Sequence, residues 1–169
     1  WGKEDTMITI QIDFALSEKF DMSYIDKNNE KKRPYVIHRT SIGCYERTLA
    51  FLIEKYAGAF PTWLAPIQVK VLPISDKYNE YADKVKQTLE KQVIRVEADY
   101  RAEKIGYKIR EAQLQKIPYM LIVGEKEETG NTVSVRERGK GNIGSMNIEE
   151  FINIILERIK NKENDSPRV

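Results

Sequence analysis

The feature that most constrains this chain is a break. Residues 57–66, AGAFPTWLAP, place Gly58, Pro61 and Pro66 within ten positions, and glycine with proline stops helix and sheet alike. The hydrophobic period differs on its two sides, so one continuous architecture is excluded. We read two parts, residues 1–60 and residues 64–163, with the boundary at residues 59–66.

Ahead of the break, MITIQIDF alternates: Ile8, Ile10, Ile12 and Phe14 fall on one face, and Thr9, Gln11 and Asp13 on the other. That period of two predicts a half-buried strand of an antiparallel sheet. A second strand is expected at residues 20–24, a turn in IDKNNEKKRP, and a third strand at residues 35–39. From Gly43 the spacing turns helical, with Tyr45, Leu49, Leu52, Ile53 and Tyr56 in phase. A buried helix of roughly 14 residues is expected there.

Behind the break, strands alternate with helices. Strands are predicted at residues 68–74, 94–97, 119–123 and 132–136, the last following the turn ETGN. Helices are predicted from Ser75 or Asp76 with the stripe Tyr78, Tyr81, Val85 and Leu89, at residues 103–117, and from a capping-box-like Asn147 and Glu150. Such alternation implies right-handed crossovers and a largely parallel or mixed sheet with helices on its faces. The fold class is α/β, α+β overall: an antiparallel-sheet fragment followed by a mixed-sheet α/β module. The polar tail from Lys160 reads as frayed.

Charge narrows the function less than it narrows the fold. Charged residues make up 32% but the net charge is only +2, so an RNA-binding role has to come from where the charges sit. One cysteine cannot form an internal disulfide, and no apolar run approaches the ~20 residues that span a bilayer. With no apolar leader, the expectation is a reduced, cytoplasmic chain without a membrane partner. Its first residue, Trp1, suggests a piece of something longer.

The only histidine and the only cysteine lie in PYVIHRTSIGCYER. His38 is either a histidine hydrogen-bonded at a sheet edge or a metal ligand, and the first is favoured because zinc needs three or four ligands. Cys44 reads as a small buried thiol at a helix start rather than a nucleophile. Arg47 is either half of a surface ion pair with Glu46 or a guanidinium for a phosphate or an adenine face. Thr9 and Gln11 suit a polar ligand in a cleft, or a solvated face. In the second part Arg101, Lys104, Lys108, Arg110 and Lys116 cluster, followed by Lys126, Arg136 and Arg138. They form a solvated helix face or a phosphate-binding surface.

VIHRTSIGCYERTLAFLIEKYAGAFPTWLAPIQVKVLPIS, EKIGYKIREAQLQKIPYMLIVGEKE and VSVRERGKGNIGSM, with their spacing, closely resemble the C-terminal part of threonyl-tRNA synthetases, from about residue 9 to residue 159. The resemblance implies the end of a class II catalytic core with its motif three, then an anticodon-binding domain. It implies a parent enzyme, a threonine–tRNA ligase, that activates L-threonine with ATP and Mg2+ and transfers it to tRNA(Thr). The full-length enzyme is expected to be a homodimer, and this chain by itself inactive.

Residue by residue, GCYER matches motif three, which assigns Arg47 to ATP and to catalysis. TIQIDF matches the strand lining the adenylate pocket, so Thr9 and Gln11 would face ATP or threonine. Family members hold a zinc ion through one Cys and two His, the last His nine residues before the motif-three arginine. His38 and Arg47 share that spacing, with the other ligands outside the chain. Glu127 and Arg136 match the anticodon-reading surface, with Lys104, Arg110 and Lys116 nearby. Ala102 replaces an asparagine usual in the family, which places one base contact in question, and Thr6 and Met7 also depart from the pattern. The contrasting reading is a non-catalytic tRNA-binding fragment derived from a class II synthetase. A generic nucleotide-binding α/β domain is disfavoured because no glycine-rich phosphate loop follows the module's first strand.

Overall fold

The computed structural model describes residue 4 and residues 6–166. It divides into two compact units, residues 1–51 and 52–169.

In the first unit, β1 (Ile10–Asp13) pairs antiparallel with β4 (Val36–Arg39), Gln11 opposite His38 and Asp13 opposite Val36. A separate hairpin joins β2 (Tyr24–Ile25) to β3 (Lys31–Lys32), so IDKNNEKKRP does contain the turn. A short helix α1 (Ala15–Lys19), not expected from the sequence, starts where Asp13 accepts the Leu16 N–H at 2.9 Å. α2 (Tyr45–Tyr56) follows.

The expected burial is not observed here. Ile10, Ile12 and Phe14 are each about three-fifths exposed, and α2 has no buried residue. Two separate two-stranded sheets and an amphipathic helix do not enclose a core, since a sheet needs three or more strands or a helix packed on its apolar face. Cys44 is exposed rather than buried, its thiol 2.7 Å from Glu46.

The second unit holds a five-stranded sheet in the order β6-β5-β7-β8-β9: β5 (Val69–Pro73), β6 (Val96–Ala98), β7 (Tyr119–Val123), β8 (Thr132–Glu137) and β9 (Gly141–Asn147). β5 runs parallel to β6 and β7, while β8 and β9 add antiparallel. The mixed sheet is therefore as expected. β5 is buried along its whole length, as a strand covered on both faces should be. On one face α3 (Asn79–Lys91) and α6 (Ile148–Asn161) bury Tyr81, Val85, Leu89, Phe151 and Ile155 against Val69, Val71, Leu121, Val133 and Val135. On the other, α4 (Ile105–Leu114) covers Leu72 and Met120 through Ala112, with Ile117 beside it. Asn147 caps α6, accepting the Glu149 N–H at 2.9 Å.

Two elements of the second unit escaped the sequence. ETGN is not a free turn: α5 (Glu125–Gly130) runs into it and ends at Asn131 in the left-handed conformation. β9 was missed because GNIGSMN has neither a run of β-branched residues nor an apolar alternation.

The break is held by side chains. Lys116 donates to Ala57 O, Arg138 to Phe60 O at 2.7 Å and Lys116 O at 2.6 Å, and Arg95 to Ala65 O at 2.9 Å and Trp63 O at 3.0 Å. The expected frayed tail contributes too: α6 continues to Asn161, and Asp165 accepts the Thr62 N–H at 2.8 Å.

Glu137, buried on β8, accepts from Arg158 at 2.8 Å and Lys140 at 2.9 Å, and Arg158 also donates to the buried Tyr119 hydroxyl. Burial pushes the Glu137 carboxyl up, but the Arg158 and Lys140 contacts outweigh it and hold it below its ordinary 4.5. A depressed folded value stabilises above the unfolded one and is lost as pH falls through the folded one. Glu137→Gln should therefore lower the thermal midpoint at pH 7, with the gap from the unaltered chain narrowing in acid as pH falls through the depressed folded value. An equal gap at pH 7 and in acid would contradict this assignment.

Candidate nucleic-acid interface

The first unit brings Gln11, Asp13 and His38 onto one strand face, around a cavity of about 610 Å³ that Phe14 also lines. His38 Nε2 lies 3.2 Å from Asp13 Oδ2. The Leu16 N–H, and then the His38 contact, hold the Asp13 carboxyl below its usual range. Thr9 sits just ahead of β1, its N–H on the Thr40 hydroxyl at 3.2 Å. Arg47, in the first turn of α2, donates to Thr6 O at 3.0 Å. Among the described residues no three His, Cys, Asp or Glu side chains are grouped to hold a metal, so His38 beside Asp13 falls short of a zinc site.

In the second unit Lys104, Arg110 and Arg136 lie on the α4 side of the sheet. Lys104 is the N-cap of α4, and Arg110 lies exposed farther along it. On β8 the alternation sends Val133, Val135 and Glu137 to one face and Thr132, Ser134 and Arg136 to the other. Arg136 is paired across the sheet with Met120, which packs under α4. It lines a cavity of about 260 Å³ with Gln113, Ile117, Met120, Arg138 and Gly141. Both Arg136 Nε and Arg138 Nε are buried there without a hydrogen-bond acceptor.

Two of the anticipated contact residues already have partners within the chain. Glu127 accepts the Gly124 N–H at 3.1 Å, closing the first turn of α5, and Lys116 is committed to Ala57 O. The turn after β6 is held rigidly: Asp99 takes Arg101 Nε at 2.9 Å and Nη2 at 2.7 Å, and Arg101 reaches Glu111 at 3.4 Å. The Arg101 contact keeps the Asp99 carboxyl below its usual range.

Lys108 is the residue that charge counting misplaced. It is 2% exposed rather than part of a solvated face. The signal was present, since Ile105, Lys108, Ile109 and Ala112 follow the i, i+3, i+4, i+7 spacing of the sheet-facing stripe. Grouping it with other lysines by charge concealed its phase.

Exposed cations along a helix, beside a cavity lined by Arg136, suit splayed, single-stranded RNA. Comparison with known proteins agrees. Residues 68–158 match the family described as anticodon binding domain, and residues 1–56 match the tRNA synthetase class II core domain (G, H, P, S and T). A threonine–tRNA ligase of Clostridium botulinum (strain Eklund 17B / Type B) is 67% identical over 162 residues, 96% of this chain and 25% of that protein. One from Clostridioides difficile (strain 630) is 58% identical over 155 residues, 92% of this chain and 24% of that protein. The chain thus spans about a quarter of the length of the curated relatives it matches. The crystal structure of the RNA binding domain of threonyl-tRNA synthetase from Cryptosporidium parvum Iowa II superposes with a TM-score of 0.77 at 36% identity, over 89% of this chain and 38% of that one. The chain belongs to the anticodon binding domain family, its first 56 residues match the class II synthetase core domain, and over nearly all of its length it is similar to threonine–tRNA ligases.

Proposed function

We propose that the second unit binds the anticodon loop of tRNA(Thr), within a threonine–tRNA ligase that activates L-threonine with ATP and Mg2+. The observation that carries this reading is the α4 side of the sheet, where Lys104 and Lys108 stand at one end of the helix and the Arg136 cavity at the other. A ten-residue helix is about 15 Å long, a span over which several unstacked bases can lie. Exposed Lys104 and Arg110 serve the phosphates and Arg136 serves a base edge. Glu127 remains a candidate contact through the oxygen not engaged by Gly124.

For the first unit, the match to the class II core supports Arg47 as an ATP-binding, catalytic residue, with Thr9 and Gln11 toward ATP or threonine. Zinc is proposed for the whole enzyme alone, because His38 lacks companion ligands here, and no step is assigned to it. A homodimeric, cytoplasmic enzyme fits the same reading, and among the described residues no helix is long and apolar enough to cross a membrane.

The test is binding of the chain to anticodon stem-loops of threonine tRNA altered base by base. Changes at the middle and last anticodon positions should each weaken binding about tenfold or more, as loss of a specific base contact does. Equal affinity for every loop would refute the assignment.

A further inference from the structure

Two guanidinium groups of the second unit share one small cavity, and neither is fully served. Arg136 Nε and Arg138 Nε are both buried without an acceptor. The Arg136 side chain has no hydrogen bond or ion pair among the described residues. Arg138 gives Nη1 to Lys116 O at 2.6 Å and Nη2 to Phe60 O at 2.7 Å, but a carbonyl supplies no net charge. Burial pulls the Arg138 guanidinium below its ordinary value, and the field of Asp165 offsets only part of that. The Asp165 carboxylate is itself engaged by the Thr62 N–H and hydroxyl. A charge removed from water is stable only when it is paired and hydrogen-bonded, so these two cations lack a counter-ion.

The cavity, about 260 Å³, lies at the Gln113 end of α4. Its charged lining residues are Arg136, Glu137 and Arg138. Glu137 does not neutralise the pair, because strand alternation sends its side chain to the opposite face and its carboxylate is held there by Arg158 and Lys140. The buried Ile117 and Met120 supply an apolar wall, and a water-poor wall strengthens any charge pair formed against it. Exposed Gln113 adds a neutral amide at the rim.

Such a lining calls for a ligand that brings negative charge and acceptor oxygens. A base edge brings no charge, whereas a phosphate group brings both and fits the guanidinium fork. We propose that Arg138 and Arg136 form an oxyanion site that seats one phosphate group, the Nε–H of each donating to its oxygens. Free phosphate and the backbone phosphate of a bound RNA offer the same chemistry. The site goes beyond the reading of anticodon bases given above and does not depend on which bases are read.

Proton–nitrogen correlation spectra of the unaltered chain, labelled with nitrogen-15 in arginine, test it, the two Nε–H signals being identified by their loss in Arg136→Lys and Arg138→Lys. Inorganic phosphate should shift both signals saturably, and sodium chloride at equal ionic strength should not. A second arm uses anticodon stem-loops of threonine tRNA carrying an uncharged methylphosphonate at one loop phosphate at a time. If RNA supplies the phosphate, one such loop should bind about tenfold more weakly, as loss of a hydrogen-bonded charge does, and inorganic phosphate should compete with the unmodified loop. If every loop binds alike while phosphate still shifts both signals, the site stands with free phosphate as its ligand. Signals that phosphate leaves unmoved, together with loops that all bind alike, overturn the inference, as do signals that chloride moves equally. Either of those outcomes leaves the RNA-binding reading standing, since base-by-base discrimination is measured separately.

Discussion

Phe151→Ala should destabilise the second unit by about 3–5 kcal/mol, the range for removing a buried aromatic ring. Phe151 is 1% exposed and meets Tyr119 edge to face at 5.5 Å between centroids. Its loss removes apolar contact with the central sheet and opens a void too dry to be filled by water. The ring pair adds to the cost because Tyr119 loses its packing partner while still holding Arg158, and through it Glu137. Denaturant unfolding followed by tyrosine and tryptophan fluorescence should show a lower midpoint with an unchanged slope. A change below about 1 kcal/mol would mean that this core relaxes far more than packed interiors do.

Gly43→Ala should disrupt the first unit and spare the second. Gly43 has φ +78°, and a Cβ there would overlap the Met7 carbonyl oxygen. An alanine in that conformation costs about 1 kcal/mol, and displacing a backbone carbonyl adds strain of about 1–3 kcal/mol. The segment has little burial with which to absorb it, so loss of local order is the expected outcome. Arg47, which reaches Thr6 O, and Thr48, whose hydroxyl donates to Ile42 O at 2.8 Å, both follow the turn and tie α2 back across it. Amide exchange should accelerate at residues 36–48 while β5 and β7 keep their protection. Unaltered exchange at residues 36–48 would refute the steric argument.

Secondary structure was legible wherever the hydrophobic period was long and clean. MITIQIDF gave a strand, YMLIV another, and the stripe Tyr81, Val85 and Leu89 a helix, because each is stabilised by the face it presents. Burial was not equally legible. Alternation says which side chains share a face but not whether anything covers it, and in the first unit the apolar faces of β1 and α2 stay open. α5 and β9 were hidden for a different reason: backbone pairing with β8 and the Glu127 contact to Gly124 stabilise them more than their own side chains do.

The candidate site divides along the same line. Arg136 and Lys104 were named from residue type and resemblance, and both lie on the α4 side of the sheet. Phase could have revealed Lys108, since it falls on the apolar stripe. The Lys116 tie to Ala57 and the Asp13 partner of His38 join residues 59 and 25 positions apart, separations that local patterns do not reach.

The way residues 57–65 are held has a consequence for sequence change. Arg95, Lys116 and Arg138 grip carbonyls, and a carbonyl is the same whichever side chain its residue carries. Exposed Ala57 is thereby free to change its side chain, whereas Ala59, Pro61, Thr62 and Ala65 are buried and, like the residues that grip the segment, are not. Changes that loosen the segment should map to its buried positions and to Arg95, Lys116 and Arg138, which lie far from it in sequence.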